Sequence, residues 1–495
     1  MTKGLAGAMA PKIYHLHPLV AGPIVEWPRH LARCHAMGFD FVGSAPLFAP
    51  GAAGDIFLTA DHEALHPALG WDGPADTGIA RLSEQCTRHG LRLMLDLVAD
   101  RVAIDAGLRR HEPGWFEDDA STDEPPDPRR KPRSRDLAEA RFDAGQPSIG
   151  LGGWWAERLS RLARAGAAGF RCLNPHHVPA AVWRQIIDSV REVEPGTLFV
   201  AWTPGVPREA VAALAGLGFD FVASSLGWWD ARASWLVEEA ELLRTVAPAI
   251  AAPEPSFGER LAPRLDPQVD VGIAYRRALR LAAATASGLL VPMGFEYATR
   301  RPFDRARAEP QDFERARQEA QRDLSDDIRD ANQLTDRLAA FGIHGEMRAL
   351  SGPESAATAL LRADAADVRQ AGRALVVVAN PALGRKAALD LSLARLPATA
   401  GAAFGPPERI NGELDLRSPL APGEVRLFRY DRAPPIIEPW SRGTVGAVQA
   451  AAAPRIVIEA VAPAVDGGAY AVKRLAGDPV LVSSDIFADG HELLA

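Results

Sequence analysis

The stretch Gly169-Phe170-Arg171-Cys172-Leu173-Asn174-Pro175-His176 decides how the rest of the chain is interpreted. It follows a run with helical spacing of apolar residues, from Trp154 to Ala165, and a short Ala-Gly turn. Its apolar first half predicts a strand that ends near Cys172, so the next residues leave at the carboxyl end of that strand. In a parallel α/β barrel, active-site residues lie at this end. Leu173 and the residues after it are therefore the first candidates for a functional site.

Strand-like and helix-like patterns alternate through the first three hundred or so residues. We predict apolar strands at 12–17, 39–43, 91–98, 169–172, 198–202, 219–223, 249–252 and 289–291. We predict amphipathic helices at 27–37, 72–89, 154–165, 180–193, 208–217, 231–245 and 271–286. This alternation is typical of a parallel sheet, most simply a closed (β/α)8 TIM barrel. The pattern alone leaves a doubly wound open sheet as an alternative.

The composition changes along the chain and predicts four parts. Residues 1–343 form the barrel, with an irregular insertion at 117–149 after the third strand, rich in Asp, Pro and Arg. Short strands separated by turns predict an antiparallel β-sandwich at 344–433. A Pro- and Ala-rich linker at 434–453 follows. Residues 454–495 contain two strand-like runs, which are too few for an independent domain, so we expect an incomplete β domain.

Charge and cysteine usage exclude several classes of function. The formal charge is −8, from 63 acidic and 55 basic residues, which disfavours nucleic acid or an anionic membrane as the main partner. The 3 cysteines are far apart and form no CxxC pair, which fits a reduced, cytoplasmic compartment. No signal peptide or apolar run of about 18 residues is present. No motif for a nucleotide, zinc or another metal occurs, so we expect no cofactor and no metal.

The strand near residue 170 resembles a known motif. Gly-Phe-Arg-x-Asp marks the fourth strand of the α-amylase superfamily, glycoside hydrolase family 13. The stretch is more similar still to the maltosyltransferases that extend α-glucan from maltose 1-phosphate, in which Asp-Asn-Pro-His and a further Pro follow the Arg. Asn174, Pro175, His176 and Pro179 match this pattern. Leu173 stands where that family has its nucleophilic Asp.

The resemblance implies a site in which three catalytic carboxylates are replaced. Retaining glycosidases use a nucleophile and a general acid/base about 5–5.5 Å apart, and the superfamily adds a third carboxylate. Leu173 replaces the nucleophile. Leu198 to Thr203 resembles the strand-five motif and places Trp202 at the acid/base position. Pro253 to Leu261 resembles the strand-seven motif and places Phe257 at the third carboxylate. The resemblance therefore implies a degenerate catalytic site.

Other positions keep part of the family pattern. Asp96 matches the first residue of the family's Asp-x-x-x-Asn-His motif, whose last two positions are Asp100 and Arg101 here. Asp96 is either a structural carboxylate bonded to Arg171 or a sugar contact, and the sequence leaves both open. The candidate sugar-binding or retained residues are Asp96, Arg101, Arg171, Asn174, His176 and Glu254.

Three functional hypotheses follow from this resemblance. The first is a degenerate barrel acting as an accessory unit to a maltosyltransferase catalytic unit, on the same or a partner chain, with homo-oligomerisation left open. The second is an active α-glucan transferase or hydrolase that uses displaced carboxylates such as Asp96, Glu254 or Glu296. The third is a module that binds α-glucan or maltooligosaccharide through stacking tryptophans, among Trp154, Trp155, Trp202, Trp228 and Trp229.

The end of the chain carries a resemblance of its own. Residues 485–491 are similar to the opening of the N-terminal β domain of the maltosyltransferases. We therefore interpret the chain as the front part of a longer two-unit polypeptide, or as a truncated product of one.

Overall fold

Eight parallel strands form a closed barrel in the computed structural model, which describes residues 10–117, 127, 129, 136–388, 404–410, 418–433, 456–474 and 480–488. Each strand pairs with the next along the chain, and the last pairs with the first. This confirms the predicted barrel and excludes an open sheet. The strands are β1 Lys12–Leu16, β2 Phe41–Ser44, β3 Arg92–Leu97, β4 Ala167–Cys172, β5 Leu198–Ala201, β6 Phe221–Ala223, β7 Ala249–Ala251 and β8 Gly288–Pro292.

One layer of helices covers the barrel: α1 Trp27–Ala36, α2 Ala75–Arg88, α3 Gly150–Arg164, α4 Ala180–Val193, α5 Arg208–Ala212, α6 Trp235–Arg244, α7 Val271–Thr285 and α8 Ser325–Ala340. The largest differences from the predicted helix lengths are in α5 and α6, and the backbone explains them. Ala231 has φ +65°, so the helix predicted from that residue begins only at Trp235. Gly216 and Gly218 have φ +72° and +100°, left-handed values that a helix does not contain. Further short helices are Pro18–Ala21, Gly107–His111 and Pro310–Glu319.

Two excursions extend from the carboxyl ends of β2 and β3. After β2, strands Phe48–Pro50 and Thr59–Leu65 pair with each other. After β3, Leu137–Ala140 lies between Arg101–Ala103 and Phe116–Glu117 in a small antiparallel sheet. The described part of the segment that we predicted to be irregular therefore contains a strand. Ala138 anchors this strand because its side chain is fully buried.

A five-stranded antiparallel sheet follows the barrel, in the region for which the sequence predicted an antiparallel β-sandwich. Its strands are β9 Met347–Ala349, β10 Thr358–Ala363, β11 Arg373–Ala379, β12 Glu408–Arg409 and β13 Val425–Asp431, in the order β9-β10-β11-β13-β12. Alternate residues face opposite sides of a strand. Leu375 and Val377 pack with the barrel core, whereas Val376 and Phe428 belong to a second, smaller core. The sequence pattern also predicts a strand at 387–391, and this segment lies largely outside the described residues.

The last described element is a two-stranded ribbon formed by β14 Ile456–Ala462 and β15 Ser483–Ala488. These strands correspond to the two strand-like runs predicted at 455–461 and 480–487. The predicted linker at 434–453 lies outside the described residues. In the part of the chain that is described, no helix has both the length and the apolar character needed to cross a membrane.

Candidate functional site at the barrel mouth

A buried cluster of Asp96, Arg171 and His15 lies where β3, β4 and β1 approach the mouth of the barrel. Nε and Nη2 of Arg171 donate to Oδ1 and Oδ2 of Asp96 at 2.7 and 2.5 Å. Nε2 of His15 lies 3.1 Å from Oδ2 of Asp96 and 2.8 Å from Nη2 of Arg171. The ion pair between Asp96 and Arg171, one of the two readings of the sequence, is thus present. Burial and Arg171 lower the pKa of His15, which favours the neutral imidazole.

The charge of Asp96 is stabilised by its partners rather than by water. Burial alone would raise the pKa of Asp96, but the Arg171 guanidinium and His15 outweigh burial and hold that pKa below its usual value. The carboxylate is therefore ionised near neutral pH and already bonded. Nη1 of Arg171 is also buried, and among the described residues it has no hydrogen-bond partner.

Aromatic side chains cover this cluster from two directions. The Arg171 guanidinium carbon lies 4.5 Å from the centre of the Trp202 ring, in cation–π contact. The Phe257 ring packs edge-on against His15, with ring centres 5.8 Å apart. Leu173 packs against the main core, and its amide donates to the carbonyl of Leu97 at 2.9 Å. Two of the three residues at presumed catalytic positions, Trp202 and Phe257, thus contact the Asp96 cluster.

A second polar cluster surrounds Asp100, just beyond β3. Its Oδ2 accepts from Nη1 of Arg101 at 3.1 Å and from Nδ2 of Asn174 at 3.0 Å, and it lies 2.9 Å from Nδ1 of His177. Burial alone would raise the pKa of Asp100, but the charges and hydrogen bonds of Arg101 and His177 outweigh burial, so that pKa is below its usual value. Oδ1 of Asp100 is buried without a partner among the described residues. Predicted residues Arg101 and Asn174 therefore meet on one carboxylate.

His176 lies beside this second cluster. Its ring centre is 4.1 Å from that of His177, and the recorded contact with Asp100 is made by His177. Asn174 has φ +45°, an unusual left-handed value for a residue other than glycine, and it opens the short helical turn that carries both histidines.

Glu254 and Glu296, the two other carboxylates considered for catalysis, are enclosed in the protein. Both residues are 0% exposed. Glu254 accepts from Arg260 at 2.7 Å, from the amide of Leu261 at 2.8 Å and from Tyr275 at 3.3 Å.

Glu296 has the same kind of environment. It accepts from Tyr14 at 2.7 Å, from Arg33 at 2.5 Å and from the amide of Gly294 at 3.0 Å. Both oxygens of each carboxylate are therefore occupied by protein donors.

The tryptophans predicted as sugar platforms have different environments. Trp155 is 3% exposed, and it packs with Trp154 and His62 at ring-centre distances of 4.8 and 5.2 Å. Trp228 and Trp229 are half-buried, and Nε1 of Trp229 donates to the carbonyl of Ala233 at 2.8 Å. Trp155 is therefore a core residue. Across the described residues, no group of three or more His, Cys, Asp or Glu side chains is placed to hold a metal ion.

Two residues of these clusters, His15 and His177, were not predicted from the sequence. His15 is in β1, at the carboxyl end, and His17 follows two positions later, so both belong to the same face of an extended chain. Polar residues with a spacing of two at the end of an apolar strand were the available signal for His15. The motif indicated His176, and nothing in the sequence pointed to its neighbour His177.

Known proteins with similar sequences cover nearly all of this chain. The α-1,4-glucan:maltose-1-phosphate maltosyltransferase of Burkholderia pseudomallei is 36% identical over 505 aligned positions, which cover 99% of this chain and 44% of that protein. The protein of the same name from Pseudomonas aeruginosa is 30% identical over 35% of this chain and 28% of its own length. The chain thus spans less than half the length of these relatives. The family model for domain N/S of these maltosyltransferases matches residues 454–495.

Solved structures with a similar fold include an α-amylase and a trehalose-6-phosphate hydrolase. An α-amylase from Geobacillus thermoleovorans, complexed with acarbose, superposes with a TM-score of 0.62 at 14% identity, covering 86% of this chain and 99% of that one. The trehalose-6-phosphate hydrolase of Bacillus licheniformis gives a TM-score of 0.62 at 10% identity, again covering 86% of this chain and 99% of that one. At these identities the likeness concerns the fold alone.

Proposed function

We propose that the chain is a member of the α-amylase superfamily, related to its α-1,4-glucan:maltose-1-phosphate maltosyltransferases, and that it is a catalytically degenerate barrel of α-glucan metabolism. In this role it acts as an accessory unit beside a maltosyltransferase catalytic unit. The proposal places it in the cytoplasm, where its three buried, unpaired cysteines stay reduced.

One observation carries the proposal: the carboxylates near the mouth are buried and already bonded. Asp96 and Asp100 are each 5% exposed, and Glu254 and Glu296 are 0% exposed. A nucleophile and a proton donor must both reach the sugar, and general acid–base catalysis needs hydrogen-bond reach to the reacting group. Leu173, Trp202 and Phe257, at the expected catalytic positions, cannot supply either function.

The polar atoms left over at the mouth favour a second candidate role, binding of α-glucan. Nη1 of Arg171 and Oδ1 of Asp100 are buried without partners in the described part of the chain. Buried polar groups in native proteins normally have partners, so a donor and an acceptor left over at a former sugar site favour a bound hydroxyl group. Glycogen co-sedimentation tests this role, with Asp100→Asn as the variant expected to bind less. Equal sedimentation of the variant and the unaltered chain would contradict it.

The catalytic part of the proposal is tested directly. The purified full chain is incubated with maltooligosaccharide, with and without maltose 1-phosphate, and products are separated by chromatography. The Pseudomonas aeruginosa maltosyltransferase serves as the positive control. We expect no product above background, because loss of catalytic groups typically costs about 10⁴–10⁶ in rate. Turnover of about 1 s⁻¹ or more, an ordinary enzymatic rate, would refute degeneracy. We expect Leu173→Asp to remain inert, since Trp202 still covers Arg171.

The accessory part concerns the ribbon of β14 and β15. Its match to domain N/S and its exposed apolar side chains support attachment to further strands of a maltosyltransferase domain N/S. In the Burkholderia pseudomallei relative, we expect maltosyl transfer to depend on the part that this chain does not cover. An Asp placed at the position of the intact relative that aligns with Leu173 should then leave its transfer rate unchanged. Transfer that depends on the aligned portion alone would overturn the accessory role.

A further inference from the structure

A cavity of about 240 Å³ lies between α7 and α8, on the outer surface of the barrel. These helices flank β8 in the chain, so the cavity belongs to the outer helical layer and not to the mouth. Its floor is apolar, and its other lining groups are charged. The lining residues are Leu279, Ala331, Leu334, Arg276, Arg280, Arg337, Asp327 and Asp330.

The charges around this cavity are incompletely paired. Nη1 of Arg276 lies 3.7 Å from Oδ2 of Asp327, and these two lining residues form an ion pair. Arg280 and Arg337 have no ion pair and no hydrogen bond from their guanidinium groups in the described ranges. Asp330 also lacks an ion pair there. The lining therefore has three guanidinium groups against two carboxylates. Arg280 and Arg337 are exposed and make no direct ion pair in the described ranges, although the Arg280 charge, like that of Arg276, offsets part of the rise that burial causes in the pKa of Asp327.

The geometry of the helices brings these guanidinium groups to one place. Arg276 and Arg280 are four residues apart on α7, so they lie on the same helical face. Arg337 contributes a third guanidinium group from α8. A guanidinium group presents a planar set of N–H donors that matches phosphate oxygens, and it keeps its charge at all physiological pH values.

We propose that this cavity binds a phosphate monoester, with Arg280 and Arg337 as the principal ligands of the phosphate group. The volume of about 240 Å³ is many times the roughly 10–15 Å³ of cavity volume that one water requires, so the cavity has room for a phosphate and for part of an attached group over the apolar floor of Leu279 and Leu334. The site is separate from the degenerate mouth, and its occupancy does not depend on the proposed function.

The carboxylates of the cavity predict whether one substitution strengthens or weakens phosphate binding. Asp327 and Asp330 repel a dianion, so neutralising them should strengthen phosphate binding. Asp330→Asn is the cleaner change because Asp330 is exposed and has no recorded ion pair. A purely structural role of these residues would not predict tighter binding.

Isothermal titration calorimetry of the full chain in phosphate-free buffer tests the site with three probes: inorganic phosphate, glucose 1-phosphate and glucose. We expect saturable binding of one equivalent of glucose 1-phosphate, no binding of glucose, and weaker binding at higher salt because the contact is electrostatic. Tighter binding of glucose 1-phosphate than of inorganic phosphate would identify the sugar phosphate as the source. Equal affinity would identify the phosphate group alone.

The double variant Arg280→Gln/Arg337→Gln should lose at least about tenfold in affinity, equivalent to about 1.4 kcal/mol. The matched control is Arg315→Gln/Arg329→Gln. It removes the same charge from exposed helical arginines that pair with Asp312 and Asp326, away from the cavity. Thermal unfolding of both variants verifies that they fold. Equal loss in the two variants, stoichiometry above one without saturation, or weaker binding by Asp330→Asn would overturn the proposal.

Discussion

The C-terminal sheet and the terminal ribbon are both antiparallel and both rich in apolar residues, yet their environments differ. Every residue of β10 is buried. In and beside the ribbon, Ile458 is 59% exposed, Ile486 50% and Leu481 90%. The two segments have similar local preferences for extended structure, so local sequence does not explain the difference. The sheet has the barrel on one face and its own core on the other, whereas the described ribbon has no covering layer.

The contact between sheet and barrel is specific as well as apolar. Arg362, in β10, is 5% exposed and donates to the carbonyls of Ala284 at 2.7 Å, Ala286 at 3.2 Å and Ile343 at 2.9 Å. Ala284 lies in the last turn of α7 and Ala286 directly follows the helix, where helical carbonyls lack internal partners. Burial lowers the pKa of Arg362 to about 10, which still leaves it charged near neutral pH. The sheet is therefore a part of the barrel body.

The first prediction tests the contact between the sheet and the barrel, and it has the largest expected effect. Arg362→Met should lower the free energy of unfolding by about 3–5 kcal/mol, because it leaves three buried carbonyls without donors. Urea denaturation followed by tryptophan fluorescence measures the change. Arg369→Met is the control: Arg369 is an exposed partner of Asp367, and its loss should leave the free energy of unfolding almost unchanged. Similar small losses in both variants would show that the sheet is only loosely attached.

The second prediction concerns acid, which should act on the barrel body and not on the ribbon. Burial and Arg158 lower the pKa of His62 to about 3, and Phe48, Trp154 and Trp155 surround its ring. The unfolded chain binds this proton near pH 6.5 and the folded chain only near pH 3. Stability is therefore fully present above about pH 6.5 and is lost as the pH falls towards 3, by up to about 1.4 kcal/mol per pH unit.

Denaturation curves at pH 7, 6 and 5 measure this loss. His62→Phe should give a shallower dependence of stability on pH, because it keeps an aromatic ring and removes the proton-binding group. His35→Gln, a change at an exposed histidine of α1, should leave the dependence as it is. An unchanged slope in His62→Phe would contradict the assignment to His62.

Sequence reasoning predicted the barrel well because each strand and helix has its own periodic signal. The predicted ends of helices were wrong where the backbone departs from the pattern. At Ala231 the backbone is left-handed, and no neighbouring residue in the sequence indicates this. The described strand Leu137–Ala140 was missed because its short sequence has no clear alternation and lies in a polar segment. Its pairing with Arg101–Ala103 brings together residues that are distant in the chain.

The site was harder to predict because its contacts join distant strands. The motif at β4 indicated Arg171, and the motif at β3 indicated Asp96 as its partner. His15 lies 81 positions from Asp96 and 156 from Arg171, so their meeting depends on the side-by-side pairing of β1, β2, β3 and β4. The contact of Trp202 with Arg171 also joins different strands. The position of a residue in the sequence does not specify how its side chain stacks, so this contact could not be predicted.

The third prediction addresses the boundary between body and ribbon. Limited trypsin digestion should cut first between residues 434 and 454, the predicted linker, and leave a resistant fragment that contains the barrel and the sheet. Mass spectrometry of the products locates the first cut. The physical reason is that a two-stranded ribbon buries little surface of its own and does not hold the chain against local opening. A ribbon that resists trypsin as well as the barrel does would contradict the proposed difference between the ribbon and the sheet.

The last prediction has the smallest effect on stability and the most specific consequence. Leu481 is 90% exposed, so Leu481→Lys should change the free energy of unfolding by less than about 0.5 kcal/mol. If the ribbon is an attachment surface, the same change should weaken its association, because a charge replaces apolar area that a partner would bury. Analytical ultracentrifugation of the unaltered chain and the variant compares their self-association, and a dye that binds exposed apolar surface should report less binding to the variant. Arg474→Glu, a change beyond the apolar residues of the ribbon, controls for an altered charge. A variant that loses as much stability as a core substitution would mean that Leu481 is covered within this chain, and the ribbon would then belong to the same body as the sheet.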